Sequence, residues 1–167
     1  MNSATLSRVA VPDASTDADV ILETTSVPRY YWALALPSGA TMGRRILLAT
    51  NQAEPMPVVH DDGEGPILLG AEQGAFSIDR HTGQVLEKIT DLTDVVLVKV
   101  VSTGDVVVQA GDQLVAFDQK GSARWRQTFP DLVDEISEGP DQTLLVATLD
   151  GERYQVDLRS GRASRSR

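Results

Sequence analysis

The chain has 167 residues, no cysteine and a formal charge of -9, with a pI near 4.6. Its length suits one well-buried domain, and its acidity argues against nucleic acid or an anionic membrane as the main partner, because such a surface repels phosphates and attracts basic proteins. The lack of cysteine removes disulfides, thiolate catalysis and zinc–thiolate sites.

Residues 1–18 carry a single Arg among scattered Ser, Thr, Ala and Asp, with no apolar stretch of signal-peptide length. The longest apolar runs, such as Val95–Val98, are far too short to span a bilayer. The expectation is a cytoplasmic protein with a flexible N-terminal segment. Residues 19–55 hold strand candidates at Val20–Thr24, Arg29–Leu36 and Arg45–Ala49. Residues 56–93 hold four more, at Pro57–His60, Ile67–Ala71, Ala75–Asp79 and Gln84–Ile89. Residues 94–130 repeat the plan with Val95–Val101, Val106–Ala110, Leu114–Asp118 and Ala123–Thr128. Residues 131–166 give Leu132–Ser137, Leu144–Leu149, Glu152–Asp157 and a polar last strand over Arg162–Ser166. Short runs separated by Gly-containing turns, with no helical periodicity, predict up-and-down antiparallel meanders.

Asp79, Asp118 and Asp157 fall 39 residues apart, each ending a strand-like run before a turn. A fixed period near 40 is the mark of repeated β-sheet units. Ile67, Val106 and Leu145 each lie 12 residues before their Asp, so the second strands are expected to share register. Asp150-Gly151 predicts a type I′ hairpin turn. The fold class read from this pattern is all-β: an array of about four antiparallel four-stranded blades, as a closed small ring or an open arc. It forms a single domain over residues 19–167. Residues 1–18 are expected to supply a strand beside the polar last one, closing the array end to end.

The units resemble the quinoprotein-type β-propeller repeat, whose pattern is Ala-x-Asp-x-x-Thr-Gly-x-x-x-Trp. Asp79, Thr82 and Gly83 match it, with Glu87 in the Trp position. Ala116, Asp118, Gly121 and Trp125 match it with a turn one residue shorter. Asp157 and Gly161 match it, with Ser160 for Thr. The resemblance covers residues 57–161 well and 20–50 poorly. It implies a propeller fold, usually of seven or eight blades, against material here for about four. Enzymes of that family bind a quinone and calcium through residues outside these motifs, and none of those residues can be placed here.

The repeated Asp side chains are expected to fix their turns by accepting backbone N–H groups. Trp125 is expected to pack between sheets. His60, Asp61, Asp62 and Glu64 gather an imidazole and three carboxylates around Gly63, a weak metal-site candidate whose spacing does not match a calcium loop. No nucleophile motif accompanies His60 or His81, and no cofactor is expected. Candidate contact residues are Tyr30 and Trp32, which share a strand face in an Arg-Tyr-Tyr-Trp run, and the acidic Asp131, Asp134, Glu135 and Glu138. The leading functional reading is a non-catalytic protein-binding module with a basic partner, in its sharper form an inhibitor or immunity protein neutralising a basic effector. The alternative is a propeller-based enzyme or a small-ligand or sugar sensor, calcium-assisted. A homodimer completing the ring is the third.

Overall fold

The computed structural model describes residues 3–9, 20–24, 28–36, 46–53 and 56–166. Residues 10–18 of the N-terminal segment, and Arg45 of one strand candidate, lie outside the described residues. Within them are sixteen strands in four four-stranded sheets. The first sheet contains β1 (Thr5–Val9), β2 (Val20–Glu23), β3 (Tyr30–Ala35) and β4 (Ile46–Thr50). The second contains β5 (Val58–His60), β6 (Ile67–Ala71), β7 (Gly74–Ile78) and β8 (Val85–Ile89). The third contains β9 (Val95–Val100), β10 (Val106–Ala110), β11 (Gln113–Phe117) and β12 (Ala123–Thr128). The fourth contains β13 (Val133–Glu138), β14 (Thr143–Thr148), β15 (Arg153–Asp157) and β16 (Ala163–Arg165).

The last three sheets are meanders in chain order, antiparallel throughout. The first departs from that plan. Its order is β1-β3-β4-β2, with β2 parallel to β4. The hairpin partner β3 already has β1 on its other edge, so Val20–Glu23 can add only beside Ile46–Ala49. The N-terminal segment thus supplies an edge strand, but to the first sheet. Among the described residues β16 pairs with β15 alone, so the expected end-to-end closure is not made.

Successive side chains of each strand point to opposite faces, and the apolar ones pack between sheets. Trp32, Leu34, Ile46 and Leu48 meet Ile67, Leu69, Phe76 and Ile78 between the first and second sheets. Leu68 and Ala75 meet Val106, Val108, Val115 and Phe117 between the second and third. Val107, Leu114, Ala116 and Trp125 meet Ile136, Leu144, Val146, Val156 and Leu158 between the third and fourth. Four sheets thus share three cores, and none joins the fourth sheet to the first among the described residues. The array is an open, propeller-like arc.

The two ends of the arc differ. β4 is buried on both faces: Ile46 and Leu48 face the second sheet, and Leu47 and Ala49, on the other face, are buried too. Strands β6 and β10 are likewise buried along their whole length, whereas β14 alternates, with Leu144 and Val146 covered and Leu145 exposed. The fourth sheet therefore presents one uncovered face.

That exposure corrects the expected register. Ile67 pairs with Ile78 and Val106 with Phe117, but the residue opposite Val156 is Leu144, and Leu145 pairs with Gln155. Two-residue turns close the equivalent β6–β7 and β10–β11 hairpins, while β14 and β15 are joined across Thr148–Glu152, changing the count by one. A one-residue slip sends a side chain to the other face. The type I′ turn is absent as well. Gly151 is left-handed at φ 85°, while Asp150 has no positive φ; the Gly151 N–H instead donates to the Thr148 carbonyl at 2.9 Å.

Candidate functional site

The repeated aspartates are built into the turns that follow the third strands. Asp79 accepts N–H groups from His81 at 3.0 Å and Thr82 at 2.7 Å, and the Thr82 hydroxyl at 2.8 Å. Asp118 accepts from the Lys120 and Ser122 N–H groups, both at 2.9 Å. Asp157 accepts the Ser160 N–H and hydroxyl, both at 2.7 Å. Each turn then passes through a left-handed glycine: Gly83, Gly121 and Gly161. The Thr82 N–H holds the Asp79 carboxyl below its ordinary value of 3.8, and the Ser160 hydroxyl does the same for Asp157.

Two of these glycines also seat one sheet on the preceding one. A Cβ at Gly121 would lie 2.0 Å from the Ser77 Oγ, and one at Gly161 would lie 2.6 Å from the Trp125 Cγ. Trp125 is 8% exposed and donates its indole N–H to the Leu158 carbonyl at 2.8 Å. It is a clamp between the third and fourth sheets.

Two of the four candidate metal residues, Asp61 and Asp62, are engaged in their own surroundings. Asp61 accepts from Ala4 N at 2.6 Å and Gly63 N at 2.9 Å, and pairs with Arg80 Nη2 at 2.8 Å; the side chains of Asp61 and Arg80 are 2% and 7% exposed. Asp62 accepts the Glu64 and Gly65 N–H groups, each at 2.8 Å, and the first of these leads in holding its carboxyl below the usual value. These are turn and tether roles. Among the described residues no group of three His, Asp or Glu side chains is arranged to hold a metal ion. His60, Asp62 and Glu64 of the second sheet and Asp118 of the third do line a cleft of about 390 Å³ between these sheets.

Because Asp62 and Asp79 titrate below their ordinary value in the folded state, their contribution to stability is complete above about pH 4 and is lost as the pH falls through the lowered values. Wild-type stability, followed by urea titration, is expected to fall across that acid window. Asp62→Asn and Asp79→Asn should each flatten the slope there and leave it unchanged near neutrality.

The aromatic contact candidates divide. Trp32 is 5% exposed, donates its indole N–H to Thr50 Oγ1 at 3.2 Å and sits in the first core, so its side chain is not offered to a partner. Tyr30 is half-buried beneath Arg8, whose guanidinium carbon lies 4.6 Å from the ring centre. The acidic stretch divides too. Asp131 accepts the N–H of Leu132, and Glu138 the N–H of Ser102, at 3.1 Å across the third and fourth sheets. Asp134 is exposed at a β-bulge in β13, and Glu135 is exposed on the uncovered face of the fourth sheet.

The strand read at Val95–Val101 is β9, an edge of the third sheet, but its apolar exposure was not legible in the sequence. It exposes Val96, Leu97 and Val100. Its Lys99 reaches β13 of the fourth sheet, with Nζ 3.4 Å from the Ile136 carbonyl.

No protein-family model matches the chain, and no curated protein matches its sequence. Among solved structures it is similar to a protein of unknown function from Bacteroides caccae, at 12% identity and a TM-score of 0.44, over 82% of this chain and 60% of that one. It is also similar to BamB from Moraxella catarrhalis, at 16% identity and a TM-score of 0.44, over 98% of this chain and 52% of that one. The chain thus spans little more than half the length of either.

Proposed function

We propose that the protein is a non-catalytic binding module whose partner is a basic protein. The observation that carries this reading is a pair of edge strands: β9, paired on one side only with β10, exposes Val96, Leu97 and Val100, and the acidic β13, joined to it through Lys99 and the Ile136 carbonyl, exposes Asp134. Edge strands with exposed apolar side chains invite pairing with another chain, and a flanking acid selects for positive charge. The strongly acidic chain steers the same kind of partner. The carboxylates held below their ordinary range are each accounted for by a turn or an ion pair, which supports structural roles for them over acid–base work. Kinship with the quinoprotein-type repeat is supported by the Asp-turn-Gly geometry at three successive sheets. In its sharper form the reading is a cytoplasmic inhibitor or immunity protein that neutralises a basic effector.

The test is capture from native lysate with wild type and with a variant carrying Asp131→Lys and Asp134→Lys. Wild type is expected to retain one basic protein in fixed proportion, and the charge-reversed variant to lose it. Equal retention by both sinks the reading.

A further inference from the structure

We infer that the uncovered face of the fourth sheet is a self-association surface, occupied by the same face of a second copy. This goes beyond the partner proposed for the β9 and β13 edges.

The cross-strand register puts Glu135, Ala147 and Arg153 in one row, on β13, β14 and β15. Ser137, Leu145 and Gln155 form the next row. Both rows lie on the face opposite the third core, and Glu135 and Arg153 are exposed, as is Leu145 at 39%. A groove of about 320 Å³ runs over these residues. The row therefore reads acid, small, base, with the two charges separated by two strand spacings, roughly 10 Å.

Such a row is complementary to itself. A two-fold axis lying in the interface parallel to the strands, above β14, carries β13 of one copy over β15 of the other at the same level along the strands. Glu135 of each copy then faces Arg153 of the other, Ala147 meets Ala147, and Leu145 meets Leu145 in the neighbouring row. Isologous contacts of this kind are the usual way a chain forms a dimer. Face-to-face packing of sheets over an apolar core is already used three times in this chain.

Other occupants fit less well. A head-to-tail copy, which would extend the arc towards a ring, needs the far face of the first sheet, where Leu47 and Ala49 are already buried. A basic partner would meet Arg153.

The test is sedimentation velocity of the full chain from about 1 to 200 micromolar, the range in which a dimer of ordinary affinity dissociates. Wild type is expected to shift from monomer to dimer. Glu135→Lys and Arg153→Glu, each checked for fold by circular dichroism, are expected to weaken the dimer about tenfold or more by placing like charges opposite each other. The double variant carrying both changes restores the complementary row and should regain dimerisation. A wild type that stays monomeric throughout overturns the inference, as does a double variant no better than the single ones. Loss of the basic partner on Glu135→Lys in a monomeric protein would assign the face to that partner instead. If the dimer behaves as expected while Asp131→Lys with Asp134→Lys leaves partner capture intact, the functional reading fails and this one stands.

Discussion

Asp61→Ala is expected to destabilise the protein by about 3–5 kcal/mol, the usual loss when one member of a buried ion pair is removed. Total stabilities of domains run at about 5–15 kcal/mol, so this is a large fraction, visible as a melting-point drop on the order of 10 °C. The size follows from what the carboxylate holds: the Arg80 guanidinium, the Gly63 N–H of its own turn, and the Ala4 N–H at the head of β1. Losing it strands a buried cation whose Nη1 already has no hydrogen-bond partner. It also frees the N-terminal strand, so amides of β1 should exchange faster than those of β7 in the variant. Replacing both members with apolar residues, Asp61→Leu with Arg80→Met, is expected to recover most of the loss, since the pair's attraction is offset by the cost of burying two charges. Denaturant titration of the three variants checks this. A double variant as unstable as Asp61→Ala would mean that the tether to Ala4, rather than the stranded charge, dominates.

The second large effect lies at Trp125. Trp125→Ala is expected to cost about 3–5 kcal/mol through the cavity left between the third and fourth sheets, the range for large aromatic truncations. The lost indole bond to the Leu158 carbonyl falls within that total. Gly161→Ala should also be costly, because its Cβ would stand 2.6 Å from the Trp125 Cγ and its φ of +71° strains any side chain. The two are predicted to couple. In a Trp125→Ala background the clashes with the indole Cγ and Cδ2 are removed while the Cβ of residue 125, 2.7 Å away, remains, so the Gly161→Ala penalty shrinks but stays above the about 1 kcal/mol expected for the left-handed backbone alone. Additive losses in the double-mutant cycle would mean that the turn and the indole do not press on one another.

Both effects sit where the repeat was most legible. The 39-residue spacing of Asp79, Asp118 and Asp157 marks turns whose chemistry is local: a carboxylate reaching two or three residues on, then a glycine that can take positive φ. Local chemistry of that kind is written in adjacent residues, so the period led directly to the sheet units. What was not legible depends on counts and on partners far away in sequence. Leu145 looked equivalent to Ile67 and Val106 because its distance from the Asp is the same, yet the longer connection between β14 and β15 shifts pairing by one residue and turns it outward. β2 reads as a strand but not as a parallel one, since that outcome depends on β1 having taken the free edge of β3. Trp32 reads equally well as an interface anchor or a core residue, and only the second sheet opposite it decides. The same holds for the acids: Asp61 and Glu64 stand three residues apart, but one is enclosed by Ala4, just ahead of β1, and Arg80, in the turn after β7.

The functional account stands most directly on the stoichiometry of a complex. Material captured on the tagged chain would be separated by size and its mass measured by light scattering. The account predicts one basic protein bound for each 18.0 kDa chain, whether the chain itself is single or paired. A particle made of this chain alone, with no basic protein retained at low ionic strength, would contradict it.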